Sequence, residues 1–445
     1  MKILFIALGC DKNLVDAEVM LGLLASKSYE MTDSPEEADI IVVNTCCFIQ
    51  EAKEESIGQI LEMAELKKEG NLKALIVTGC MAQRYKEEVM KEIPEVDAVL
   101  GTSSYDKILD VIDETLKGKH SLLVKDPNLN PETTVKRMLT TGGHFAYLKI
   151  AEGCDKHCTY CIIPKIRGDF RSFPMEKLLE EAKDLAKQGV KELILIAQET
   201  TLYGTDLYGE KTLPKLLKEL CKISGLTWIR ILYCYPEEIT EELLQVIKEE
   251  PKICNYIDIP LQHCNDEILK KMGRSTTKKD LLQIIHKIRK TIPDICIRTT
   301  LITGFPGETI KQHKELLDFI QEMKFDRLGV FTYSKEEDTI AAKMKNQLPE
   351  DVKEKRRAEI MQAQQEIAFE KAENLIGLET LVMIEGKVAD ENAYVGRTFG
   401  DAPNVDGLIF INTDETLNSG DFVRVTVTGA LEYDLIGGLS HELTQ

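Results

Sequence analysis

The residues with the clearest chemical meaning are three cysteines in the run GCDKHCTYC: Cys154, Cys158 and Cys161, spaced C-x3-C-x2-C. Thiols this close along a chain can grip one inorganic centre. Zinc takes four protein ligands in a structural site, or three and a water in a catalytic one. His157 adjoins Cys158 and is badly placed to complete the same site. Three thiolates without a fourth suit a cubane iron–sulfur cluster with one iron left open. An open iron can bind a substrate or a cofactor directly. A redox-inert zinc or free thiols are the alternatives.

A second set is less obvious. Cys10, Cys46 and Cys80 are 36 and 34 residues apart, and each directly follows an apolar run: FIALGC, VVNTC and IVTGC. One strand–helix–strand unit takes about 30 residues or more. The three cysteines therefore leave three strands at the same edge of one sheet, where open α/β sheets bind their ligands. Cys10 and Cys80 follow glycines, which allow close backbone approach to a bulky group. We infer a second three-thiolate cluster here, with three buried cysteines that happen to end strands as the alternative. Cys47 competes with Cys46, because adjacent strand residues face opposite ways and one of the two can aim at the site. Cys221, Cys234, Cys254, Cys264 and Cys296 have no ligand spacing and read as small core residues.

The chain that must position these residues has 445 residues, enough for two to four domains. With 43 % hydrophobic and 29 % charged residues it has an ordinary globular composition. That excludes a collagen-like, wholly disordered or small disulfide-stapled chain. A net charge of −19 disfavours a phosphate backbone or an anionic membrane as the main partner. No run of about 18 apolar residues predicts a membrane span. The opening MKILFIALGCDKN lacks a small-residue cleavage site and reads as a strand entering a polar loop rather than a signal peptide. The expectation is a cytoplasmic, reducing location, in which metal binding outweighs disulfides as the use of 12 cysteines.

Strand and helix signals alternate through residues 1–120. Strands are expected at 2–8, 39–44, 74–78 and 98–100, and helices at 15–25, 51–66 and 83–93, which indicates a parallel α/β sheet. The run DPNLNPETT breaks the rhythm, and residues 121–139 are expected to form an exposed linker. Six strand–helix units follow within 140–376, with strands at 147–150, 192–197, 228–233, 256–260, 296–302 and 327–332. They suit a (β/α)6-type partial barrel. A charged helix over 349–376 connects to residues 378–445, whose short strands read as a small antiparallel barrel, OB-like.

These motifs resemble one family over nearly the whole chain. GCDKHCTYCIIPKIRG is similar to the radical S-adenosylmethionine (SAM) signature of the methylthiotransferases. LGCDKNLVDAE, VNTCCFIQEAKEES and VTGCMAQRY match the cluster-binding N-terminal domain of that family, and the last module looks like its TRAM domain. KNLVDAE, QEAKEES and DAPNVDG (401–407) resemble the branch that acts on ribosomal protein S-twelve. The resemblance implies two [4Fe-4S] clusters and SAM as cofactors. The cluster on Cys154, Cys158 and Cys161 would bind SAM through its open iron. An electron from an unidentified reductant would then cleave SAM to methionine and a 5′-deoxyadenosyl radical. An auxiliary cluster on Cys10, Cys46 and Cys80 would carry the sulfur, methylated by another SAM. The radical would remove hydrogen from the β-carbon of an aspartate, to which methylthio is transferred. The family pattern selects Cys46 and carries a small residue such as Gly at the position of Cys47.

No side chain is expected as the catalyst. An aliphatic C–H bond is too weakly acidic for a side-chain base working near neutral pH, so the chemistry belongs to the cofactors. Gln198 in IAQETTLYG, Arg298 and the TGFPGE turn resemble SAM-contacting parts of such barrels. Tyr160 can pack against SAM or against the cluster. His263 in IPLQHC is expected to be packed or hydrogen-bonded rather than a ligand.

A transfer RNA methylthiotransferase would share both clusters and the barrel. Residues 378–445 hold 12 acidic and three basic residues, whereas an RNA-gripping module shows a basic patch. That charge would repel phosphate and attract a basic ribosomal protein. A non-catalytic two-cluster electron carrier is a rival from another class, but it would be expected to use four-cysteine sets.

Overall fold

The computed structural model describes residues 1–68, 70, 72–131, 136–389 and 391–443. Near the N-terminus every residue of IIVVNT and ALIVTG is buried, and such strands need cover on both faces. They lie in a six-stranded parallel sheet formed by β1 (Lys2–Ala7), β2 (Glu30–Met31), β3 (Ile40–Thr45), β4 (Ala74–Gly79), β5 (Ala98–Leu100) and β6 (Ser121–Leu123). The strand order is β2-β1-β3-β4-β5-β6. Its helices are α1 (Asp11–Ser26), α2 (Gln50–Lys68), α3 (Cys80–Tyr85), α4 (Glu87–Glu92) and α5 (Ile108–Thr115). Ile41, Val43, Leu75 and Val77 pack with Ile60 and Met63 of α2. Ile40, Val42 and Ile76 pack on the other face with Met20 and Leu24 of α1 and with Ile108 of α5.

Two local expectations are corrected. The helix expected over 83–93 begins at Cys80 and breaks at Lys86, which has φ +50°. Residues 121–123 of the expected linker are β6, and the chain beyond that strand is fastened down. Asn128 Oδ1 accepts from the Asp169 N–H at 2.8 Å, and Glu18 takes the Met138 and Thr140 N–H groups at 2.9 and 2.8 Å. Loop polarity here serves to satisfy backbone donors. Residues 132–135 of that linker lie outside the described residues.

Two short strands, β8 (Ala151–Glu152) and β9 (Arg171–Ser172), flank the loop with Cys154 and the helix α6 (Ile163–Arg167). Contacts divide the chain into two units. The first comprises Met1–Thr140, Ala151–Arg171 and Ser334–Lys343, and the second Thr141–Ile150, Ser172–Tyr333 and Met344–Gln445. Both cysteine triads belong to the first.

The second unit holds six parallel strands: β7 (Phe145–Lys149), β10 (Glu192–Ile196), β11 (Trp228–Ile231), β12 (Tyr256–Gln262), β13 (Cys296–Thr303) and β14 (Arg327–Thr332). They form two three-stranded sheets, β7-β10-β11 and β12-β13-β14, bridged between Ile229 and Ile253. Helices such as α7 (Met175–Lys187) intervene, so the partial barrel is as expected. A 24-residue helix at Glu350–Glu373 starts after Pro349. It packs rather than merely connects: its buried Arg356 pairs with Glu308 at 2.9 Å.

The last five strands are β15 (Glu379–Lys387), β16 (Ala393–Thr398), β17 (Ile409–Asn412), β18 (Phe422–Ala430) and β19 (Leu435–Leu439). They close into a barrel of order β15-β16-β17-β19-β18, antiparallel except where β17 meets β19. The strand LIGGL was hidden by its glycines. A Cβ on Gly437 would stand 2.4 Å from Val425 Cγ1, so close packing and not a turn requires glycine there.

The small barrel is tied to the amino-terminal ends of the parallel strands by buried charge. Glu192, the first residue of β10, accepts from Arg230 Nε at 2.7 Å and from Arg397 Nη2 at 2.6 Å, all three nearly solvent-free. Asp401 accepts from Arg327 Nε at 2.9 Å. Asp406 accepts from Arg298 Nε at 3.2 Å and from the Tyr256 hydroxyl at 2.7 Å. Both aspartates of DAPNVDG are thus used inside the molecule. Glu192→Gln leaves the buried Arg230 guanidinium without its carboxylate and Arg397 with Glu385 alone, and is expected to cost about 3–5 kcal/mol in urea unfolding. Glu379→Gln, which removes an exposed partner of Arg424, should leave the urea midpoint essentially unchanged.

Candidate metal centre

β1, β3 and β4 are neighbours, and their register sets Ala7, Asn44 and Thr78 side by side. Each strand hands its cysteine to a different exit. Cys10 caps α1, with its carbonyl accepting from the Leu14 N–H at 3.0 Å. Cys46 is fixed by Ser56, whose hydroxyl accepts from the Cys46 N–H at 3.0 Å and donates to its carbonyl at 2.9 Å. Cys80 is the first residue of α3. Gly9 and Gly79 have φ of +93° and +91°. A Cβ on Gly9 would fall 2.7 Å from Cys46 Cβ, and one on Gly79 would fall 2.4 Å from Asn44 Oδ1. The glycines therefore let neighbouring strand ends close on each other. The expectation that they leave room for a bulky group is replaced by this tighter reason.

The Cys46 and Cys80 thiols are both perturbed. Burial is the main cause that pushes the Cys46 thiol up to about 12, and Cys80 and Cys10 add to it. Cys80 is also raised, by burial first, while Arg167 pulls the other way and Cys10 adds. Cys47 is raised by burial and then by Cys80, with no influence from Cys10 among its main causes, and it sits solvent-free in the apolar layer with Val43 and Val77. Cys46 Sγ lies beside Gly9, the residue before Cys10, whereas Cys47 is turned into the apolar layer.

In the second triad Cys154 and Cys158 are buried, and Cys161 is half-buried. The Cys154 N–H donates to Gly168 O at 3.1 Å, the Lys156 N–H to Cys154 Sγ at 3.4 Å, and the Ala341 N–H to Thr159 O at 2.8 Å. Burial raises the Cys161 thiol, the Ile163 N–H opposes this, and Cys158 and Cys154 add to the rise. His157 is exposed.

Among the described residues no three His, Cys, Asp or Glu side chains form a group that could hold a metal ion. A cubane cluster does not ask for that convergence, because each thiolate meets its own iron at a separate corner. Soft, thiol-only donor sets suit iron–sulfur better than a hard cation. Binding would remove the protons that burial favours on Cys46, Cys80 and Cys161.

Nothing in the cysteine spacing points to Asn13 or Arg167, yet they organise the first triad. Asn13 Nδ2 donates to Leu8 O at 2.9 Å and to Thr45 O at 2.8 Å, joining two strand ends. Its Oδ1 accepts from Arg167 Nη2 at 2.6 Å. The same Nη2 lies 3.4 Å from Cys80 Sγ. Arg167 Nη1 donates to Asp16 at 2.6 Å and to Glu152 at 3.2 Å. Burial works against its charge, but Cys80, Glu152 and Asp16 hold the guanidinium firmly protonated. The available signal was the polar run KNLVDAE beside Cys10, whose Asn13, Asp16 and Glu18 are buried in a helix.

The remaining expected residues are scattered. Tyr160 is half-buried in the loop of the second triad. Gln198 lies two residues beyond β10, at the carboxyl end of the parallel strands. Arg298 is corrected as a cofactor contact. It is the third residue of β13, toward the amino end, and is held by Asp258 at 3.3 Å and by Asp406. Active sites of parallel barrels sit at the opposite end. His263 is packed, its Nδ1 accepting the Cys264 and Asn265 N–H groups, each at 2.9 Å. Cys234, Cys254, Cys264 and Cys296 are buried and Cys221 is half-buried.

Comparison with known proteins agrees with this architecture. Residues 2–101 match the family model described as Uncharacterized protein family UPF0004, residues 148–320 the Radical SAM superfamily, and residues 376–439 the TRAM domain. The chain is 63 % identical to the ribosomal protein uS12 methylthiotransferase RimO of Lachnoclostridium phytofermentans, over 98 % of this chain and 99 % of that protein. It is 51 % identical to the protein of the same name from Clostridioides difficile, over the full length of both. Among solved structures it resembles the radical SAM methyltransferase TsrM from Kitasatospora setae with cobalamin and a [4Fe-4S] cluster bound. That TM-score is 0.57, with 13 % identity, covering 91 % of this chain and 81 % of that one, a likeness of fold. Among the described residues no helix is long and apolar enough to cross a membrane.

Two measurements check these assignments. Asn13→Ala strands several buried partners and should cost on the order of 3 kcal/mol in urea unfolding. Burial pushes His263 down to about 3 from an ordinary 6.5, so below pH 6.5 the unfolded chain takes up a proton that the folded one refuses. Stability should therefore fall as pH drops from 6.5 toward 3, and His263→Gln should flatten that part of the stability–pH curve.

Proposed function

Because this chain belongs to the RimO family of ribosomal protein uS12 methylthiotransferases, we propose that it adds a methylthio group to the β-carbon of an aspartate in that ribosomal protein. Cys154, Cys158 and Cys161 hold the radical SAM cluster, with Tyr160 and Gln198 toward SAM. Cys10, Cys46 and Cys80 hold the auxiliary cluster. Together these cofactors supply a radical that attacks an unactivated C–H bond and the sulfur that replaces the hydrogen. The protein's own residues bind, shield and orient. Asn13 and Ser56 fix two of the strand ends, Gly9 and Gly79 allow the ends to close, and the buried carboxylates fix Arg167. The observation that carries the reading is that both triads belong to one unit, with Arg167 of the α6 side reaching Cys80.

The protein substrate is favoured over RNA by the acidic last module. Arg397, one of its three basic residues, is buried against Glu192 and cannot offer charge to phosphate. A ribosomal protein substrate places the work in the cytoplasm, with an electron donor still to be identified. Anaerobically reconstituted enzyme should transfer methylthio to a peptide from ribosomal protein uS12 and leave transfer RNA unmodified, as read by mass spectrometry. Modification of the RNA instead would overturn the substrate assignment. Cys80→Ala should spare reductive SAM cleavage and abolish methylthio transfer. Loss of cleavage with the cluster on Cys154, Cys158 and Cys161 intact would overturn the division of labour.

A further inference from the structure

Arg167 sits six residues beyond Cys161, at the end of α6, which starts two residues after that cysteine. Ile162 and Ile166 anchor this short helix in the apolar layer under the sheet, alongside Cys47 and Cys80. The side chain is 2 % exposed and ends at the other triad. Asp16 at 2.6 Å and Glu152 at 3.2 Å hold Nη1, and Asn13 at 2.6 Å steadies Nη2. A guanidinium is planar, so fixing one edge aims the rest. What remains for Nη2 is Cys80 Sγ, at 3.4 Å. A structural ion pair needs Asp16 and Glu152 alone and gives no reason for contact with a sulfur.

We propose that Arg167 is a positioning residue for the auxiliary cluster, through which the loop of the radical SAM cluster supplies a hydrogen bond and a fixed positive charge to Cys80. The inference rests on the reading of Cys10, Cys46 and Cys80 as ligands. Hydrogen bonds and positive charge at a ligating sulfur draw electron density from it and stabilise the reduced cluster, so they raise its reduction potential. The same contact makes the auxiliary site sensitive to the placement of the loop, because the guanidinium moves with α6.

The test uses full-length protein reconstituted anaerobically, in a background of Cys154→Ala, Cys158→Ala and Cys161→Ala that isolates the auxiliary cluster. Its potential is followed by electron paramagnetic resonance. Arg167→Gln combined with Asp16→Asn removes the charge without stranding the nearer carboxylate. Arg167→Lys keeps the charge and loses the fork. The expected result is a more negative potential in the double variant and a smaller shift in Arg167→Lys. Selective loss of the auxiliary cluster from the double variant, with the radical SAM cluster retained when its cysteines are present, supports the proposal equally. An unchanged or raised potential overturns it. Equal loss of both clusters, or failure of the double variant to fold, assigns Arg167 a purely structural role and overturns it as well. If the unsubstituted auxiliary triad takes up no cluster, the functional reading falls instead, and that outcome is visible before any Arg167 variant is made.

Discussion

The first unit depends on the parallel register of three adjacent strands. Neighbouring strands lie about 4.8 Å apart, so cysteines leaving β1, β3 and β4 at matched heights are neighbours without long loops to carry them. The constraint reaches back into the sequence. It demands strands buried on both faces, hence runs such as IIVV, and it demands glycine where strand ends touch, at Gly9 and Gly79. It also demands a side chain that can bond two strand ends at once, which Asn13 does.

Buried charge does the locking in both units. Arg167 in one and Glu192 in the other are each surrounded by more than one opposite partner. Such networks are poor sources of net stability, because desolvation offsets attraction, but they tolerate few alternative arrangements. In the second unit they fasten the small barrel to the amino ends of the parallel strands, the ends opposite those at which parallel barrels place their active sites. A sequence motif that resembles a marker of substrate choice, DAPNVDG, spends two aspartates on this internal fastening.

Much of this was legible in the residues. Unalternating apolar runs gave the buried strands, and strand-end spacing brought Cys10, Cys46 and Cys80 to one sheet edge. What escaped has physical causes. β2 is two residues long, too short for any periodicity, and β6 is a three-residue strand with one buried residue, where the equally short β5 has three. The strands AYVGRT and LIGGL carry glycines that look like turn signals and are in fact packing requirements of a narrow barrel. Arg298 looked like a cofactor contact by resemblance, and its burial among carboxylates distant in sequence decided otherwise. Arg167 and Asn13 escaped for the same reason, since Asn13 finds Thr45 32 positions away and Arg167 finds Asn13 154 positions away.

The polypeptide passes between its two units five times, at 140, 150, 171, 333 and 343. The stretches matched by the three family models therefore do not correspond to separable pieces. A fragment ending at Thr140 would contain every strand of the first sheet and none of the countercharges that arrive later. Asp16 would lack Arg167, and Arg84 and Lys53 would lack Glu336, which each meets at 3.0 Å. On a ribosome the N-terminal sheet would thus wait for some 200 further residues before its last ion pairs close, so completion of this unit is bound to synthesis of nearly the whole enzyme.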